Sequence, residues 1–66
     1  MQIQLNGQPR EIPAGTLLAA LLEAAGYAGR KVAVEVNLEV VPRSQHASHA
    51  LADGDRVEII HAIGGG

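Results

Sequence analysis

The chain has 66 residues, a formal net charge of −2, 47% hydrophobic residues, Tyr27 as its single aromatic and no cysteine. A domain of this size buries only about 60% of its unfolded surface and leaves no room for a catalytic second domain. Lack of cysteine excludes disulfides, thiolate metal sites and a cysteine nucleophile, while one aromatic gives no base-stacking surface. Three basic residues against two acidic ones in residues 1–33, and two against five in residues 34–66, leave neither half suited to a phosphate backbone. The opening Met1-Gln2-Ile3-Gln4 is not a secretion signal, and Leu17 to Leu22 is too short to span a bilayer. These features predict a soluble, cytoplasmic protein with no nucleic-acid or membrane partner.

Met1 to Leu5 alternates with the period of a half-buried strand, and Asn6-Gly7 is a favoured two-residue hairpin turn. Residues 1–13 therefore read as a hairpin whose second arm, Pro9 to Ile12, lies at a sheet edge because proline cannot donate to a ladder. Pro13-Ala14-Gly15 breaks the strand. Thr16 is the expected N-cap of a helix carrying Leu17, Leu18, Leu21, Leu22 and Ala25 at helical spacing and closed by Gly26. Val32 to Val36 alternates again, and Asn37-Leu38 turns it into a short strand, Glu39 to Val41, ended by Pro42. A leucine at a turn position that demands positive φ carries local strain. Residues 43–50 show no strand period and are expected to wrap under the sheet. Asp53-Gly54-Asp55 is a turn leading into the most apolar strand, Arg56 to Ile63, which is expected to be central. The pattern gives an α+β fold, a mixed sheet of about five strands with one helix packed across it. Ile3, Leu5, Leu18, Leu21, Leu22, Val34, Val36, Val57 and Ile59 form the expected core, and Gln2, Gln4, Glu35, Glu58 and Ile60 the opposite face.

His46, His49 and His61 are the side chains that titrate near neutrality. With Ser44, Ser48 or Asp53 they could be drawn as a metal site or triad, but a third protein ligand and an outer shell are missing, and two histidines in a polar loop read as solvated. No catalytic or metal-binding residue is assigned. The end, Ile63-Gly64-Gly65-Gly66, is more informative, because glycine weakens regular structure and gives a slender, conformationally free chain. An α-carboxyl is an anion at neutral pH and a poor electrophile, so chemistry there needs outside activation, and an adenylating site does not fit within this chain. Gly64, Gly65 and Gly66 extend over roughly 10 Å and could thread into a partner's site, with Gly66 as the residue modified. Ordering them costs about 1 to 2 kcal/mol each, which docking of the folded body must offset. Ile60, Ala62 and Ile63, near the root of the tail, are the candidates for that docking.

These residues resemble the ubiquitin-like β-grasp sulfur carriers, in particular those of thiamine biosynthesis. The resemblance rests on Met1 to Gly7, Val34-Glu35-Val36-Asn37 leading to Val40-Val41-Pro42-Arg43, Leu51 to Asp55, and terminal Gly65-Gly66, and it covers essentially the whole chain. It implies a β-grasp domain over residues 1–63 and a flexible glycine tail over 64–66, monomeric when free and binding no cofactor of its own. It further implies that an adenylyltransferase related to ubiquitin-activating enzymes uses ATP to adenylylate Gly66. A sulfur-donating enzyme converts the adenylate to a thiocarboxylate, and thiazole synthase receives the sulfur. Leu38 departs from the glycine or small polar residue of many relatives, and Gly64 extends the usual pair. Two neighbouring readings share the diglycine end: a molybdopterin synthase small subunit, whose segment before the glycines is more aromatic, and a protein modifier, for which Lys31 would be the single self-linking site. A plain binding module indifferent to its tail is the remaining class.

Overall fold

Alternation at the N-terminus produces the first strand, β1 (Gln2–Leu5), which turns through Asn6 and Gly7 into an antiparallel partner, β2 (Gln8–Glu11). The computed structural model describes residues 1–61. Both turn residues have positive φ, 51° at Asn6 and 80° at Gly7, the backbone that a tight hairpin twist requires and that asparagine and glycine tolerate best. The expected second arm, Pro9 to Ile12, is corrected by one residue. A two-residue turn puts Gln8 opposite Leu5, so the strand begins there and runs to Glu11, and the buried Ile12 just beyond it still exchanges hydrogen bonds with Met1, Ile12 N donating to Met1 O at 2.9 Å and Met1 N to Ile12 O at 2.7 Å.

The helix α1 covers Leu18–Ala24, with Gly26 at φ 89° just past its end, as a helix-closing glycine should be. Thr16 is not its cap. The residue preceding the helix is Leu17, 40% exposed, and no side chain caps the helix; Thr16 Oγ1 donates to the Pro13 carbonyl at 2.6 Å. The first helical amides are satisfied instead by a distant segment, Leu18 N donating to His49 O at 2.8 Å and Ala19 N to His46 O at 2.9 Å. Exposed helix-terminal amides need some acceptor, and backbone carbonyls removed the need for a hydroxyl.

Next come β3 (Val32–Val36) and β4 (Glu39–Val40), antiparallel to each other, joined by Asn37 at φ 52° and Leu38 at φ 70°. β4 ends one residue earlier than expected, because Val41 turns into the core. A short 3-10 turn at Arg43–Gln45 follows, and the segment reaches a bridge between Ala50 and Leu17. His46 corrects the expectation of a solvated loop: it is only 8% exposed, and its Nε2 lies 2.9 Å from the Val41 carbonyl. Since a carbonyl only accepts, that nitrogen is the donor.

The last strand, β5 (Arg56–His61), is central in the sheet order β2-β1-β5-β3-β4. It runs parallel to β1, pairing Gln4 with Arg56 and Leu5 with Val57, and antiparallel to β3, from Val36 opposite Val57 to Val32 opposite His61. All nine residues expected in the core are buried, and Ile12, Val41 and Leu51 join them. Leu18, Leu21 and Leu22 bring the helix onto one sheet face, so the other face stays open. Among the described residues no helix is long and apolar enough to cross a membrane.

Candidate functional site

Because β5 is flanked on both sides, its course toward the end of the chain is fixed by the rest of the fold. β1 supplies only the first two pairs, and beyond them Asn6 takes over: Asn6 N donates to Val57 O at 2.8 Å, and Asn6 Oδ1 accepts from Ile59 N at 2.8 Å. At the strand's start, Asn37 plays the corresponding part. Its backbone amide donates to Arg56 O at 2.8 Å, its Oδ1 accepts from Arg56 N at 3.0 Å, and its Nδ2 donates to Asp55 Oδ1 at 3.0 Å. Two turn asparagines thus anchor β5 by polar contacts that a sheet ladder alone would not supply.

The open face is set by register. Glu35 lies between Val40 on β4 and Glu58 on β5, and one step closer to the end of β5 Ala33 pairs with Ile60. Ile60 is 48% exposed, Val40 64% and Leu38 80%. Single exposed apolar residues are ordinary; Ile60 and, across Glu35 and Glu58, Val40 share the open face toward the end of β5, whereas Leu38 sits in the turn beside the start of that strand, where Asn37 bonds Arg56. Between Val40 and Ile60 sits an unneutralised acidic pair. Carboxylates directly opposite one another repel, and the ion pair found among the described residues is elsewhere, Met1 with Glu11 at 3.4 Å.

Ile60 therefore stands where the sequence placed it, on the open face next to the end of β5. Ala62, Ile63, Gly64, Gly65 and Gly66 lie outside the described residues. Val40 was not expected at this surface, nor Leu38 exposed in its turn; the signal available was the leucine at a turn position, which the sequence marked as strain and not as exposure. Among the described residues no cluster of histidine and acidic side chains could hold a metal, consistent with the separate settings of His46 and His49.

A five-stranded mixed sheet crossed by one helix, with a C-terminal strand held at its centre, defines a ubiquitin-like β-grasp protein. The sequence profile of the ThiS family matches residues 3–66, and the chain belongs to that family. It is 36% identical over 66 residues to the sulfur carrier protein ThiS of Escherichia coli, covering all of both chains. The crystal structure of the thiamine biosynthesis protein ThiS from Geobacter metallireducens superposes with a TM-score of 0.86 at 33% identity, again over 100% of both chains. The chain is also 48% identical to part of a thiazole synthase from Paramagnetospirillum magneticum, all of it aligning to 20% of that longer protein. A thiazole synthase from Magnetococcus marinus matches at 47%, likewise over 20% of its length.

Proposed function

We propose that this chain is a sulfur carrier of thiamine biosynthesis, a protein co-substrate and not a catalyst, and that its reactive group is the carboxylate of Gly66. A carboxylate oxygen of Gly66 attacks the α-phosphorus of ATP in the active site of a ubiquitin-activating-type adenylyltransferase, releasing pyrophosphate. The resulting acyl adenylate has AMP as a leaving group. A sulfide equivalent from a sulfur-donating enzyme adds to the carbonyl and expels AMP, leaving a thiocarboxylate and a proton. Gly64 and Gly65 allow the chain to enter a narrow site, and Ile60, with Ala62 and Ile63 beyond it, docks the body against the enzyme. The open face contributes Val40, across Glu35 and Glu58 from β5, to the same contact.

The observation that carries this reading is end-to-end correspondence with ThiS proteins that includes the terminal glycines. Thiazole synthase as the sulfur acceptor is supported by the two thiazole synthases that contain a region similar to the whole chain. Joining carrier to acceptor raises the effective concentration of one at the other, the circumstance in which fusion is advantageous.

Intact-mass measurement after incubation with the activating enzyme, ATP and the sulfur donor tests the proposal. The expected change is replacement of one oxygen by sulfur, localised to Gly66 by fragmentation. Deleting Gly66 is expected to leave thermal unfolding unchanged and to abolish charging. Thiocarboxylate formation by the truncated chain would overturn the assignment.

A further inference from the structure

On the helix side, away from the open sheet face, a cleft of about 290 Å³ lies between the C-terminal half of α1, the connection that follows it and the 3-10 turn. Leu22, Ala28, Val32 and Ala47 give it apolar walls, and Arg30, Arg43 and Glu23 bring charge to it. Both guanidiniums are exposed, and neither is engaged by a carboxylate among the described residues. Tyr27 and His46 also line the cleft.

We propose that this cleft binds a small monocarboxylate with an apolar body. Guanidinium groups match a carboxylate in shape and charge, and a planar fork can hold both of its oxygens. Two cations against the single carboxylate of Glu23 leave one net positive charge, which complements one negative charge; a phosphate monoester carries close to two near neutrality. The cleft has room for a small organic acid. A ligand of that size in an open cleft binds with a dissociation constant on the order of 1 mM. The site faces away from Ile60, so a bound acid and a docked enzyme would not compete for the same surface.

Phenylacetate, with one negative charge on an apolar body, is a suitable probe. Titrated into the 66-residue protein and followed by amide chemical shifts, it is expected to move Ala28, Gly29, Arg30 and Ala47 saturably while leaving Ile60, Val40 and Glu58 in place. Arg30→Gln with Arg43→Gln should weaken binding at least tenfold, and because both residues are exposed the fold is retained. Glu23→Gln should tighten it about threefold, a gain that no damage to the fold would produce. The neutral isostere 2-phenylethanol should bind at least tenfold more weakly. Equal affinity of the neutral compound, indifference to the double substitution, or inorganic phosphate binding the same amides more tightly than phenylacetate would each overturn the proposal.

Discussion

Asn6 Oδ1 accepts a hydrogen bond from the amide of Ile59 at 2.8 Å, joining residues 53 apart in sequence. The same asparagine holds φ 51° in the first hairpin turn, so one side chain serves a local turn and a long-range strand anchor. Substitution separates the two roles. Asn6→Gly keeps the backbone freedom and loses the side-chain acceptor, with an expected cost of about 1 kcal/mol. Asn6→Ala loses both and should cost about 2 kcal/mol or more, since a residue with Cβ is strained at this φ. Denaturant unfolding of the pair decides the matter; equal stability of both variants and the parent would mean that the Ile59 contact contributes nothing.

Leu38 stands at φ 70° and is 80% exposed, so the chain bears backbone strain at a turn where the side chain has no core to enter. Leu38→Gly makes the turn Asn-Gly, the pair best suited to two successive positive-φ positions. Relief of about 1–2 kcal/mol is partly cancelled by the greater freedom of glycine in the unfolded chain. A net gain of about 0.5 kcal/mol is expected, or about 2–4 °C in Tm for a domain of this size. Calorimetry showing lower stability would indicate that the leucine is held by contacts on the folded body.

The elements of this fold were legible in the sequence wherever pattern and turn chemistry agreed. Strict alternation in Gln2 to Leu5 and Val32 to Val36, leucines at helical spacing and Asn6-Gly7 all signal locally what the structure forms. What escaped detection depends on long-range contacts. Thr16 looks like a cap, but the carbonyls of His46 and His49 reach the helix from some 30 residues away. His46 looks like a polar loop residue because its acceptor, the Val41 carbonyl, becomes available only when the 41–46 segment folds back. Ile60 was identifiable from the inside-outside alternation of β5, whereas Val40 was not, because a two-residue strand has too little period to reveal its exposed side.

His46 thus has a structural role that substitution can expose. It is buried beside the helix, and its ring donates to Val41 O at 2.9 Å. His46→Leu fills similar volume without a donor and leaves the carbonyl unsatisfied, with an expected cost of about 1–3 kcal/mol. His46→Gln retains an N–H of comparable reach and should recover part of that loss. Urea unfolding measures both, and identical stability of the leucine variant and the parent would remove the hydrogen bond from any account of the fold.

Ile60 allows the proposed docking role to be tested apart from folding, since it is 48% exposed while its neighbour Ile59 is buried. Ile60→Thr preserves a β-branched side chain on the open face and should change stability by no more than about 0.5 kcal/mol. If Ile60 anchors the activating enzyme, loss of its apolar contact should cost about 1–2 kcal/mol of binding, a five- to thirtyfold rise in KM for charging at little change in kcat. Ile59→Thr is the contrasting case, destabilising the fold by more than about 1 kcal/mol through a buried hydroxyl. An unchanged KM for the Ile60 variant would move the docking surface elsewhere.

Glu35 and Glu58 face each other across β3 and β5, and no cation neutralises either among the described residues. Like charges in that position destabilise a sheet by about 0.2–1 kcal/mol, so Glu35→Lys should stabilise the protein by replacing repulsion with attraction. The gain should shrink at 1 M salt, where charges are screened beyond about 3 Å, and that dependence distinguishes electrostatics from a change in packing. A repulsive pair retained between Val40 and Ile60 makes sense if an enzyme surface supplies the missing positive charge. The same substitution is then expected to slow charging at low ionic strength, chiefly through association, while thermal unfolding improves. A variant that is more stable and charges as fast as the parent would show that the acidic pair has no part in recognition.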